Sequence, residues 1–313
     1  MRWWREIPPA TGSAVMATGI VSVGLHLTGP EPLSLALLAC GAALWLLLAA
    51  AFALTFLRDR ETWTVRAATP PALTAVAATC VLGTRFSLSD RQGLAFTLLA
   101  LAVLVWPGLL GSVLRHWRRH LPGAVFLVCV STQALAVHSA TLALTGQGGW
   151  LPWPALGCFL LGLVLYGAAL VRFDLRQVLT GAGDQWVAAG ALSISALAAA
   201  KLASWQGWTG PLHDALRAAT AFLLCLALAW YLVLLAAEMR RPRLRFDVRR
   251  WATVFPLGMT AVAALTAAAV TGWTWLHGLG TVLLWIAAAA WALTAAGFLV
   301  SRLPRARSAA DGH

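Results

Sequence analysis

Ten apolar runs, each long enough to cross a bilayer and joined by short polar connections, dominate this 313-residue chain. A segment of about 20 apolar residues spans the hydrocarbon core as a helix, because lipid offers no partner to backbone N–H and C=O groups. The spacing predicts spans at about 8–27, 33–57, 68–86, 92–114, 121–144, 151–171, 186–204, 214–238, 251–272 and 277–301. Composition agrees: 60% of residues are hydrophobic and 11% charged, with a mean hydropathy of +0.77. These values exclude a cytosolic enzyme, a disordered chain and a disulfide-framework domain, and leave residues 1–313 as one ten-helix membrane domain. The run that follows Arg2 and Arg5 opens on Pro8-Pro9 and reads as a first span, not a leader.

The net charge of +12 does not point to nucleic acid, because the arginines sit in clusters between spans and no separate polar domain carries them. With both termini in the cytoplasm, nineteen of the 23 Lys and Arg fall on the inner side; Arg85, Arg91, Lys201 and Arg217 do not. That asymmetry is the positive-inside pattern and agrees with an even number of spans in the cell membrane. The opposite connections are rich in tryptophan, at Trp150, Trp153, Trp205, Trp208, Trp273 and Trp275. The five cysteines (Cys40, Cys80, Cys129, Cys158, Cys225) lie in apolar runs without C-x-x-C spacing, so no metal site is expected.

The spans alternate in character. Spans one, seven and nine are built from Ala, Gly, Ser and Thr, spans three and five are intermediate, and spans two and eight are dominated by leucine. Small residues permit close helix approach or leave a pathway, whereas leucine suits lipid. The expected fold is therefore all-α, five helical hairpins with odd spans inside and even spans outside. A proline near the cytoplasmic start of odd spans (Pro8 and Pro9, Pro70 and Pro71, Pro122, Pro256) suggests a repeat, with span seven carrying only Gly190.

Hydroxyls on the odd spans are candidates to line a pathway: Thr18, Ser22, Thr74, Thr79, Ser131, Thr132, Ser193, Ser195, Thr260 and Thr266. Such groups can serve a solute or can bond their own i−4 carbonyls. All eleven acidic residues lie in loops or at span ends, which disfavours a cation path, since proton and cation routes are usually built on intramembrane carboxylates. Arg85 and Lys201 at outer ends of odd spans could gather anions there, or simply snorkel. His26 and His138 are candidate proton sites, against the alternative that each is a packing residue. Phe255, with Pro256, opens span nine among small side chains, where a ring could obstruct a narrow path or pack against a neighbour.

The segments PPATGSAVMATGIVSVG, DQWVAAGALSISALA and RRWATVFPLGMTA, in that order and at spans one, seven and nine, resemble the tellurite-resistance/dicarboxylate transporter family. That family includes bacterial tellurite-resistance permeases and plant slow anion channels. The resemblance implies five hairpins around a central pore, a homotrimer with one pore per subunit, and Phe255 as the pore gate. It also implies small anionic substrates of the C4-dicarboxylate, halide, nitrate, sulfite or tellurite class; the spans themselves carry no Asp-rich or Ser/His/Asp grouping, so neither an enzyme nor a cofactor is expected. Three other readings stand beside it: a haem-binding redox subunit using His26, His138 and His277, a proton-coupled dicarboxylate symporter, and a membrane partner without transport activity.

Overall fold

The computed structural model describes residues 7–118, 120–243 and 247–302, and of Arg302 only the backbone. Arg2, Arg5, Glu6, Arg119, Arg245, Arg305, Arg307 and Asp311, which enter the charge reading above, lie outside the described residues. Ten long helices carry the spans: α1 (Gly12–Thr28), α2 (Glu31–Arg58), α4 (Thr74–Leu88), α5 (Gln92–Arg115), α6 (Leu127–Leu144), α7 (Pro152–Arg172), α9 (Val187–Ala203), α10 (Pro211–Arg240), α11 (Trp251–Thr271) and α12 (Trp275–Arg302). Two short helices, α3 (Arg60–Ala67) and α8 (Gln177–Thr180), lie in connections on the arginine-rich face.

The ten spans divide sharply by burial. In α1, α4, α6, α9 and α11, between 78 and 100% of the apolar stretch is buried, against 17 to 33% in α2, α5, α7, α10 and α12. The buried five touch in a closed cycle, α1 to α4 to α6 to α9 to α11 and back to α1. Each also packs along the exposed helix that follows it in sequence, α1 with α2 and so on to α11 with α12. The physical basis is side-chain size: alanine, glycine, serine and threonine let the backbones of the five close in, while the leucine-rich helices present their bulk outward. Gly29 (φ 107°) and Gly272 (φ 75°) end α1 and α11 in the left-handed conformation, which permits the immediate reversal into α2 and α12.

Tryptophans tie one helix pair to the next. Trp45 Nε1 of α2 donates to Thr79 of α4 at 2.8 Å, and Trp106 Nε1 of α5 donates to Thr132 of α6 at 3.1 Å. Trp291 Nε1 of α12 donates to Thr18 of α1 at 2.9 Å, which joins the last pair to the first. Each threonine meanwhile donates to the carbonyl four residues back, so its hydroxyl is saturated. An aromatic recurs on all five exposed helices at intervals of about sixty residues: Trp45, Trp106, Tyr166, Trp230 and Trp291. Replacing Trp291 with phenylalanine should cost about 1 kcal/mol, one lost hydrogen bond, because Thr18 keeps its bond to Ala14. Thermal unfolding in detergent checks this, with anion flux expected unchanged.

The proline repeat takes a different form from that expected. What the buried helices share is a 3-10 turn before the first α-helical turn: Pro9–Thr11, Pro70–Leu73, Gly123–Phe126, Asp184–Trp186 and Val248–Arg250. At α9, which lacks the proline, the buried Asp184 carboxylate instead accepts from the Ala124 backbone N–H at 3.1 Å and joins two of these turns. Pro256 is not at the start of its helix but inside α11, where it can supply no N–H to the preceding turn.

Candidate functional site: an apolar cavity on the helix axis

All five buried helices contribute to one small cavity of about 20 Å³. Its wall is Ile20 and Val23 of α1, Cys80, Val81 and Thr84 of α4, Ala134 and Val137 of α6, Ile194 and Leu197 of α9, and Met259 of α11. That volume holds about one water, and a water needs two or more polar partners that this wall scarcely offers. In this conformation the axis is closed and greasy.

The face of α11 turned toward this axis can be deduced from its neighbours. A Cβ on Gly190 would meet Pro256 Cγ at 2.9 Å, so Pro256 faces α9; a Cβ on Gly258 would meet Ile20 at 2.8 Å, so Gly258 faces α1. Met259 points between them, into the cavity. Phe255 precedes Met259 by one helical turn and shares its face, and it is 1% exposed. It therefore lies on the arginine-rich side of the cavity. On α9, Lys201 follows Ile194 and Leu197 at i+7 and i+4 and so continues their face at the opposite end. Lys201 is half-buried and has no hydrogen-bond or ion-pair partner among the described residues.

None of the ten candidate hydroxyls belongs to this wall. Besides the three that accept from tryptophans, Ser22 donates to the Ser34 carbonyl at 2.7 Å, and Thr74 to those of Pro71 and Pro9 at 2.7 and 3.1 Å. Ser131, Ser195 and Thr266 donate to carbonyls three or four residues back. Ser193 and Thr260 meet at 2.8 Å across the α9–α11 contact, each with a backbone carbonyl as well. A hydroxyl in an apolar setting satisfies itself on the nearest carbonyl, so its presence on a small-residue helix says little about a path. Thr84, absent from the candidates, is the hydroxyl that does line the cavity.

Arg85 is not an open mouth. Its side chain is fully buried, pairs with Glu31 at 2.7 Å, and donates to Ser34 at 2.9 and 3.1 Å and to Ser89. Glu31 also meets His26 Nδ1 at 2.7 Å, so the cluster ties α1, α2 and α4 at their ends and neutralises the guanidinium. His138 is fully buried with neither ring nitrogen hydrogen-bonded, and a Cβ on Gly83 of α4 would overlap its ring. His277 is exposed on α12, and no histidine lines the axial cavity. Among the described residues no group of three or more His, Cys, Asp or Glu could hold a metal ion.

The electrostatics of the axis are one-sided. The sequences of α1, α4, α6, α9 and α11 contain no aspartate or glutamate. All five run in the same direction, because each is separated from the next by one crossing, so their positive N-terminal ends share the arginine-rich face. On that face Arg250 pairs with Glu238 at 2.9 Å and Arg243 pairs with the same carboxylate, while the Arg249 guanidinium holds the Asp247 carboxyl below its usual range.

The sequence matches no curated protein. The family profile for SLAC1, voltage-dependent anion channel, matches residues 6–299, the whole bundle including every wall residue of the axial cavity. A ring of acid-free parallel helices around a closed apolar axis, together with a match of that extent, establishes that the chain belongs to the SLAC1 family of voltage-dependent anion channels.

Proposed function

We propose that the chain conducts small anions along the axis between α1, α4, α6, α9 and α11, by a channel-like mechanism with Phe255 as the gate. The observation that carries this reading is the lining: all five acid-free helices meet at one cavity, and Lys201, which has no hydrogen-bond or ion-pair partner among the described residues, continues its α9 face. An apolar wall holds no anion tightly, so selection rests on the excess of positive potential, and passage on displacing Phe255 and Met259. The pathway takes a single file of small ions of the halide or nitrate class first, with sulfite, tellurite and C4-dicarboxylates as bulkier candidates. In the cell membrane the arginine-rich face is cytoplasmic, with both termini on it, and the assembly is a homotrimer with one path per subunit.

An anion-replacement series in planar bilayers tests the core of this reading. Reversal potentials should follow the anion gradient and ignore replacement of potassium by a large cation; a cation-following potential overturns it. Lys201→Met should lower conductance at low salt by about threefold to tenfold and by less at high salt, where screening replaces the lost charge. Equal conductance of the two proteins at low salt would remove Lys201 from the path. Uptake driven by a proton gradient and abolished by His138→Ala would favour the coupled symporter instead.

A further inference from the structure

A second cavity, of about 400 Å³, lies off the axis near the arginine-rich face, and nothing in anion conduction uses it. Its back wall is the start of α1 and α4, including Gly12, Val15 and Ala78, and its sides are α2 and α5, two of the lipid-facing helices. The lining is apolar apart from Trp45 and three threonines, and at the end covered by α3 Trp63 and Arg66 contribute.

The polar groups of the lining are not all spent. The hydroxyls of Thr55, Thr74 and Thr79 are bonded to backbone carbonyls, and Trp45 to Thr79. The indole N–H of Trp63, by contrast, is buried and has no hydrogen-bond partner, although its ring is fixed edge-on against Phe52 at 5.8 Å and Phe56 at 5.0 Å. A buried donor without an acceptor costs about 1–3 kcal/mol, so the orphan N–H, on a ring that itself lines the void, gains by a small turn toward an acceptor seated there. Arg66, which donates to the Ile7 carbonyl at 3.1 Å, brings a cation to the same end, and Arg60 lies over the Phe56 ring at 3.9 Å.

We propose that this cavity is a binding site for one membrane phospholipid, with an acyl chain in the slot between α2 and α5, an ester carbonyl accepting from Trp63, and the phosphate beside Arg66 and Arg60. The order of chemistry along the slot, apolar, then a neutral donor, then guanidinium, matches the order along a phospholipid from chain to headgroup. The slot opens between helices that face the bilayer, so the occupant is drawn from the surrounding leaflet. Sites of this kind, basic and set between spans at the cytoplasmic side, are where headgroups are held.

Native mass spectrometry of the full chain, extracted in mild detergent from vesicles of phosphatidylglycerol and phosphatidylcholine, tests the site. Wild type should retain one phospholipid per chain after washing that strips loosely held lipid, and millimolar inorganic phosphate should not displace it. Trp63→Phe, which keeps the ring and removes the N–H, should weaken retention about fivefold, the effect of one hydrogen bond. Ala49→Phe, which fills the slot, should abolish it, with the melting temperature reporting that the bundle is intact. Displacement by phosphate alone, equal retention by wild type and both variants, or no retained lipid in wild type would overturn the proposal. So would a rise in retention on deleting residues 1–6, which would assign the slot to the start of the chain itself.

Discussion

Phe255→Ala should raise anion flux through reconstituted protein by at least about tenfold, equivalent to lowering the barrier by about 1.4 kcal/mol. The expectation follows from where the ring sits. Phe255 is 1% exposed, one turn from the cavity-lining Met259, on the face of α11 that neither α9 nor α1 occupies. Truncation to alanine removes a phenyl ring from the turn next to the cavity and leaves the α9 and α11 contact through Gly190 and Pro256 untouched. The response should be graded, with Phe255→Leu between wild type and alanine, and Phe255→Ala combined with Met259→Ala above either single change. Selectivity for anions over cations should persist, because the variants leave the acid-free lining intact. Chloride efflux from liposomes, normalised to reconstituted protein, is the measurement. Unchanged efflux in a variant that reconstitutes normally would remove Phe255 as the gate while leaving the axial path in place.

Glu31→Gln should lower the melting temperature and leave anion selectivity unchanged. The guanidinium of Arg85 is fully buried, and the Glu31 carboxylate, 42% exposed, is the acidic partner it meets at 2.7 Å. Taking away the negative partner strands a charge in low dielectric; the exposure of Glu31 and the hydrogen bonds from Arg85 to Ser34 and Ser89 moderate the cost. Arg85→Met combined with Glu31→Gln should recover part of the loss, since the buried charge is then gone, and the double-mutant cycle measures the coupling directly. Thermal unfolding in detergent provides the stabilities and bilayer reversal potentials the selectivity. If Arg85→Met instead left the melting temperature unchanged and cut anion flux, Arg85 would be a mouth cation after all.

Much of this architecture was readable before any coordinates. The ten spans follow from apolar length, because only a helix hides its backbone in lipid, and the chain's helix ends fall within a few residues of that reading. The small-residue spans are the buried ones, since glycine and alanine faces are the ones that pack closely. The amphipathic α3 was not legible by hydropathy: RETWTVRA is short and charged, and its start is marked only by the Asp59 side chain accepting from the Thr62 N–H at 3.2 Å. The aromatic at 45, 106, 166, 230 and 291 was present in plain view, yet its period of about sixty residues emerges only once neighbouring pairs are seen bonded.

Side-chain partnership was the limit. From residue type alone, Thr18 and Thr84 are the same group, and only the packing shows one saturated by Ala14 and Trp291 and the other on the cavity wall. Arg85 and Lys201 are likewise alike in a list of cations, but one is neutralised by Glu31 across two helices and the other, at i+4 from the wall residue Leu197, has no hydrogen-bond or ion-pair partner among the described residues. Local composition dictates which segments enter lipid and which of them can crowd together, because those are properties of single helices. Which polar atom is satisfied depends on what a neighbouring helix brings within about 3 Å, and no pattern along one segment carries that information.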